Sequence, residues 1–140
     1  MRTYSLIGKS LGYSFSSRYF SEKFFKEGIE TCRYINLEID NISDLKNKIY
    51  ELEISGFNVT IPYKEKVIPF LDFTSENVKE IGSVNTVKII DDKLYGYNTD
   101  WQGVYMYLLK NKITSLSIYG NGNLASIYSF NQSRRCWHVQ

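Results

Sequence analysis

The sequence predicts an α/β fold, a mostly parallel sheet with helices on both faces and one antiparallel hairpin, followed by the start of a second α/β unit. Three observations carry this reading. Short apolar runs alternate with stretches of helical spacing, the pattern of strands joined by crossover helices. Two later runs flank only Asp91-Asp92, a connection of the length that suits a β-hairpin. A glycine turn, Gly120-Asn121-Gly122, then follows the last apolar run, shortly before the sequence ends at Gln140.

The elements follow in order. Tyr4-Ser5-Leu6-Ile7-Gly8 reads as a short buried strand ended by glycine, and Lys9 to Ser17 as a polar loop. Tyr19, Phe20, Phe24, Phe25 and Ile29 fall near helical spacing, which predicts a helix between Ser17 and a stop at Gly28. Tyr34-Ile35-Asn36-Leu37 gives a second strand. Ser43 is placed to cap a helix carrying Leu45, Ile49, Leu52 and Ile54, with Gly56 as its stop. Phe57, Val59 and Ile61 alternate with Asn58 and Thr60, the period of a strand. Pro62 suits the first turn of a short helix, which puts Lys64 in that opening turn. Ser75 to Ile81 carries a weaker helix signal. Val84 to Ile90 and Lys93 to Tyr97 form the hairpin, a helix runs from Asp100 to Asn111-Lys112, and Leu116-Ser117-Ile118-Tyr119 is a last strand.

Bulk properties narrow the function. At 140 residues the chain has room for one well-buried core and a remnant. Hydrophobic residues at 43%, charged residues at 23% and a net charge of +2 describe an ordinary globular protein. The 17 Lys and Arg are interleaved with 15 Asp and Glu, so no basic stripe is present to neutralise nucleic-acid phosphates, whereas a small anionic ligand needs only one or two local positive groups. Two distant cysteines, Cys32 and Cys136, and one histidine, His138, argue against a zinc site or a structural disulfide. No run of about 18 apolar residues suggests a membrane span, and the apolar stretch near Met1 is short for a signal peptide. The simplest compartment is the cytoplasm, and a small-molecule ligand the simplest partner; nothing in the sequence fixes an oligomeric state.

Chemistry-bearing residues cluster where strands give way to loops, the place where α/β proteins build sites. Asn58 and Thr60 lie two apart on one predicted strand and share a face. Lys64 follows closely, an ammonium able to donate to a carbonyl oxygen or exchange a proton. Asn85 and Asp100 repeat the pattern at other strand ends. Each has a plain alternative: a sheet-face pair for Asn58 and Thr60, a solvated surface charge for Lys64, a helix N-cap for Asp100. A lysine, an aspartate and several neutral hydrogen-bonding groups converging on one place suit the recognition and reduction of a polyhydroxylated keto-acid.

The strings Gly56-Phe57-Asn58-Val59-Thr60-Ile61-Pro62-Tyr63-Lys64-Glu65, Gly82-Ser83-Val84-Asn85-Thr86-Val87 and Gly96-Tyr97-Asn98-Thr99-Asp100, in this order, resemble the substrate-binding half of the shikimate dehydrogenases. Ile7-Gly8-Lys9-Ser10-Leu11-Gly12-Tyr13-Ser14-Phe15-Ser16 is similar to the same family's first-strand loop, so the likeness spans about residues 3 to 110. The resemblance implies reduction of 3-dehydroshikimate to shikimate with hydride from NADPH, in the pathway to chorismate and the aromatic amino acids. It implies that Ser14 and Ser16 bind the substrate carboxylate, assisted by Thr60, while Asn58, Asn85, Lys64 and Asp100 surround the ring hydroxyls and the reacting oxygen, with Lys64 and Asp100 as the catalytic pair. The plain reading of Ser14 and Ser16 is turn and capping chemistry. Three residues depart from the family pattern: Tyr13 stands where histidine is usual, Ser17 where proline is common, and Gly12 differs from the residues usual before them.

The glycine turn gains meaning from this order. Gly120-x-Gly122-x-x-Ala125 follows a predicted strand and resembles the opening of the family's NADP-binding domain, a Rossmann-like unit whose glycines let backbone approach a pyrophosphate. A complete βαβ unit needs about 30 residues, so the unit is expected to be incomplete in this chain. Asn131 to Gln140 shows no amphipathic period and holds the only histidine, one of two cysteines and one of two tryptophans. The expected organisation is a substrate-binding domain at 1–99, a connecting helix at 100–112, a truncated coenzyme-domain start at 113–130 and an aberrant, unstructured tail at 131–140. On this reading the chain binds substrate and does not turn it over. The alternatives are a non-catalytic shikimate-binding module and the quinate-using branch of the same superfamily.

Overall fold

The computed structural model of the chain describes residues 1–113. Six strands form one sheet, β1 (Arg2–Gly8), β2 (Cys32–Glu38), β3 (Ile54–Val59), β4 (Phe73–Thr74), β5 (Thr86–Ile90) and β6 (Lys93–Tyr97), in the order β2-β1-β3-β5-β6-β4. β1 runs parallel to β2 and to β3, β5 is antiparallel to both β3 and β6, and β4 joins the edge parallel to β6. This is the mixed α/β sheet the sequence predicts.

The strand order sets where the helices go. The chain steps from β1 to β2 in one direction and from β2 back across β1 to β3 in the other, so two right-handed crossovers place their helices on opposite faces. The core divides accordingly. Phe20 and Phe24 of α1 (Ser16–Lys26) pack with Leu6, Tyr34 and Tyr4 on one face. Leu45 and Ile49 of α2 (Leu45–Glu51) pack with Ile7, Phe57, Val59, Val67, Val84 and Val87 on the other, the larger core. Leu6 and Ile7 are consecutive on β1 and therefore serve opposite faces. Two further helices, α3 (Glu76–Ile81) and α4 (Asp100–Lys110), flank the hairpin, with Ile81, Trp101 and Val104 in contact.

Several boundaries depart from the sequence reading. The predicted helix stripe through Ile54 ends early: α2 stops at Glu51, Glu53 takes a left-handed φ of 48°, and Ile54 opens β3. Gly56 is thus a strand residue, not a helix stop; a Cβ there would lie 3.3 Å from the Val87 carbonyl oxygen and 3.5 Å from the Tyr4 ring. Asn41, not Ser43, caps the helical turn ahead of α2, its Oδ1 accepting the Ser43 amide at 3.1 Å. β3 ends at Val59, the chain turns at Ile61 and Pro62, whose peptide bond is cis, and Ile61 is largely exposed. No helix starts at Pro62; Lys64 sits in a turn, followed by a short 3-10 helix at Ile68–Phe70. The short edge strand β4 carried no sequence signal. Asp91 and Asp92 both take positive φ, 49° and 59°, as a tight hairpin turn requires. The predicted strand 116–119 and the glycine turn lie outside the described residues.

Candidate active site

β1 and β3 are neighbours whose C-terminal ends lead into different loops, one toward α1 and one toward Lys64. Such a divergence opens a crevice at the strand ends. The loop after β1 turns on the Ser14 amide, which donates to the Leu11 carbonyl at 2.8 Å, and is tied back by the Leu11 amide donating to Glu38 Oε1 at 2.6 Å. Thr60 borders this loop through Gly8: a Cβ on Gly8 would meet Leu11 Cδ2 at 2.6 Å and Thr60 Cγ2 at 2.8 Å. Gly8→Ala is therefore expected to cost about 1–3 kcal/mol in denaturant unfolding, the usual penalty of overpacking, and to displace Thr60. A variant as stable as the parent would show that the loop yields freely.

Lys64 and Asp100 are brought together from distant parts of the sequence. Lys64 Nζ donates to Asp100 Oδ2 at 2.7 Å, with the side chains 21% and 38% exposed. The Lys64 carbonyl accepts the Val84 amide at 2.8 Å, so the lysine turn is bound to the segment carrying Asn85. Asn85 Nδ2 donates to the other carboxylate oxygen, Asp100 Oδ1, at 2.7 Å, and to Thr99 Oγ1 at 2.9 Å. Asn85 Oδ1 accepts the Thr99 amide at 2.9 Å. Asn58, two strands away from β6, donates through Nδ2 to the Asn85 carbonyl at 3.2 Å and Thr86 Oγ1 at 3.1 Å.

Asp100 is not the cap of α4. That role falls to buried Asn98, whose Oδ1 accepts the Asp100 and Trp101 amides at 3.1 and 3.3 Å while its Nδ2 holds the Ser83 carbonyl at 2.9 Å. Capping by the neighbour leaves both carboxylate oxygens of Asp100 to Lys64 and Asn85. Sequence reasoning passed over Asn98, although an asparagine just ahead of a predicted helix is a capping signal; Thr86 and Thr99 were missed because their roles depend on cross-strand neighbours.

The hydroxyls are less committed. Ser14 Oγ accepts the Ser16 amide at 3.2 Å, the local turn chemistry open to it, which leaves its O–H to donate elsewhere. Among the described residues neither Ser16 Oγ nor Thr60 Oγ1 is engaged in a hydrogen bond, and none joins the serine loop to the Lys64 and Asp100 network. The structure thus makes one connected cluster of Asn58, Lys64, Asn85 and Asp100, and places Thr60 against the loop that carries Ser14 and Ser16. Tyr13 and Phe15 on that loop are strongly exposed. Gly120, Gly122 and Ala125 lie outside the described residues.

A separate concavity, a trough of about 1030 Å³, runs along the α1 face of the sheet, past Tyr4, Phe24, Gly56, Lys88, Tyr97 and Trp101. It reaches the cluster only through Asn58, Thr86 and Thr99 and includes neither Lys64 nor Asp100. Its lining is mainly apolar, so the polar chemistry is at the strand ends and not in the trough. No group of three or more metal-ligating side chains occurs among the described residues, and no helix there is long and apolar enough to cross a membrane.

A family model for the shikimate dehydrogenase substrate binding domain matches residues 6–87, from β1 into β5. The chain belongs to the shikimate dehydrogenase family. The shikimate dehydrogenase (NADP(+)) of Clostridium beijerinckii is 41% identical over 130 residues, covering 89% of this chain and 48% of that protein. The one from Staphylococcus epidermidis RP62A is 42% identical over 101 residues, covering 71% of this chain and 38% of that protein. Among solved structures, shikimate dehydrogenase 1 from Peptoclostridium difficile superposes with a TM-score of 0.85 at 34% identity, over 99% of this chain and 56% of that one. The Thermus thermophilus shikimate 5-dehydrogenase solved in complex with shikimate gives 0.83 at 26% identity, over 99% of this chain and 55% of that one. The chain spans about half the length of the curated shikimate dehydrogenases it matches.

Proposed function

We propose that this chain carries the substrate site of a shikimate dehydrogenase, and that Lys64 and Asp100 are the catalytic pair for reduction of 3-dehydroshikimate to shikimate. The observation that carries the reading is the Lys64–Asp100 contact at 2.7 Å, with Asn85 on the second carboxylate oxygen, at the strand ends. Ser14 and Ser16, with Thr60, take the substrate carboxylate through hydroxyl protons not committed inside the protein. The first amides of α1, whose N-terminus is at Ser16, favour an anion in the same place.

NADPH, when bound, supplies the hydride that reaches the ring ketone carbon. As the C=O π bond opens, its electron pair moves to oxygen and a proton passes to that oxygen from Lys64 Nζ. Asp100 keeps the ammonium aimed and its charge paired, and Asn85 holds the carboxylate in that position. Both Asn85 Nδ2 protons are already engaged, so Lys64 is the member of the cluster with protons to give. Lys64 is partly exposed, which gives the neutral amine a route to a solvent proton after the transfer. The coenzyme would meet this chain at Gly120, Gly122 and Ala125, and no described residue is assigned to it. What the described residues supply is substrate binding and the proton.

Calorimetric titration of shikimate into the purified chain, with NADP and quinate titrated separately, tests this. Shikimate binding that falls away in Asp100→Ala is the expected result. A folded chain that binds no shikimate would overturn the reading, and equal affinity for quinate would move it to the quinate-using branch.

A further inference from the structure

The catalytic cluster is the end of a longer chain of hydrogen bonds whose donors all point one way. It starts on β2, where the Tyr34 hydroxyl donates to Asn58 Oδ1 at 2.8 Å. Asn58 Nδ2 donates to Thr86 Oγ1 at 3.1 Å, Thr86 Oγ1 donates to Asn85 Oδ1 at 3.0 Å, and Asn85 Nδ2 donates to Asp100 Oδ1 at 2.7 Å. Lys64 closes it from the opposite side on Asp100 Oδ2.

The direction is forced at three points by groups of fixed polarity. The Asn85 carbonyl can only accept, which turns the Asn58 amide nitrogen toward it and toward Thr86. The Thr99 backbone amide can only donate, which turns Asn85 Oδ1 toward it, and an ionised carboxylate can only accept, which puts Asn85 Nδ2 on Asp100. Thr86 is the rotor on the path between these anchors; the Thr99 hydroxyl, a second rotor, lies beside it at 3.4 Å, farther than Asn85 Oδ1 at 3.0 Å. With Asn58 Nδ2 donating into its oxygen, its own proton goes to Asn85 Oδ1, and bonds aligned head to tail polarise one another. Tyr34 is fixed at the far end by burial and by stacking on Phe20, ring centroids 4.4 Å apart. Burial also pushes its hydroxyl well above the ordinary range, so it stays a donor.

We infer that Thr86, anchored through Asn58 by Tyr34, is a positioning residue that, together with the Thr99 amide, holds the Asn85 amide in place and thereby the orientation of Asp100 toward Lys64. One consequence concerns ligand recognition. Both Nδ2 protons of Asn58 are used inside the protein, so Asn58 meets a substrate as an acceptor at Oδ1 and selects a ligand hydroxyl rather than a ketone oxygen. The inference rests on Lys64 and Asp100 as the catalytic pair only for its effect on ligand binding; the hydrogen-bond chain stands in the ligand-free protein.

The test uses Thr86→Val, which keeps the shape and removes the hydroxyl, Thr86→Ser, which keeps the hydroxyl, and Tyr34→Phe, alone and combined with Thr86→Val. In the ligand-free chain, the Asn85 side-chain amide signals in a nitrogen-15 NMR spectrum are expected to move in Thr86→Val and to return in Thr86→Ser. In calorimetry, Thr86→Val is expected to bind shikimate roughly five- to tenfold more weakly, the size of one hydrogen bond, with Thr86→Ser restored. The double variant is expected to bind no more weakly than Thr86→Val, because its two changes break the same chain. Asn85 signals unmoved in Thr86→Val overturn the inference whether or not the chain binds shikimate. Additive losses in the double variant overturn the role given to Tyr34. Moved signals in a parent chain that binds no shikimate would support the positioning network and sink the proposed function instead.

Discussion

Lys64→Ala is expected to weaken shikimate binding roughly ten- to a hundredfold, the scale of a hydrogen bond to a charged group lost together with its electrostatic partner. The substitution leaves Asp100 with Asn85 on one oxygen and nothing on the other, so a carboxylate without its counter-charge faces the substrate. Both side chains of the pair are partly exposed. Water therefore screens the remaining charge in the free protein, and the cost in stability stays within about 1 kcal/mol. The signature is a large loss of affinity with almost no loss of stability, read by calorimetry and by thermal unfolding of the same sample. Lys64→Arg does not restore it, since a planar guanidinium cannot occupy the point position of an ammonium. In a version of the protein that turns over substrate, the same change removes the proton donor and lowers kcat about 10²- to 10⁴-fold. Affinity unchanged in Lys64→Ala would remove this residue from the site.

Asn98→Ala is expected to destabilise the chain by about 2–4 kcal/mol in urea unfolding, combining a lost helix cap with a buried carbonyl left unpaired. Asn98 is almost fully buried and acts at both ends of its amide: it caps α4 through Oδ1 and holds Ser83 through Nδ2. Its loss loosens the start of α4, where Asp100 sits, so shikimate affinity is expected to fall as well. Asn98→Asp separates the two roles. It keeps the acceptor for the cap and puts an oxygen against the Ser83 carbonyl, so it does not recover the parent's stability. Full recovery in Asn98→Asp would mean that the bond to Ser83 contributes nothing.

Legibility in the sequence followed the range of the interactions. α1 was legible because its aromatic spacing and the Gly28 stop are local signals, and the hairpin because its strands flank a tight turn. The end of α2 was not, because Ile54 fits a helical stripe and a strand equally well, and pairing of β3 with β1 decides it. The turn at Pro62 was misread as a helix start, since a proline after an apolar run suits either and the cis bond depends on the surrounding turn. At the site, Lys64, Asn85 and Asp100 were legible as residue types at strand ends. What the sequence withheld was which group each one meets. Asn98 carries the cap that Asp100 was a candidate for, and Thr86 and Tyr34 enter only because β2, β3 and β5 align them with Asn58. Side-chain partners across a sheet are set by register, which no local pattern states.

The most direct measurement is a crystal structure of the chain with shikimate. The ligand carboxylate is expected against Ser14, Ser16 and Thr60 at the start of α1, with the oxygen that reacts within hydrogen-bonding distance, about 3 Å, of Lys64 Nζ. Shikimate seated instead in the apolar trough beside Tyr4 and Phe24, with Lys64 and Asp100 untouched, would contradict the account.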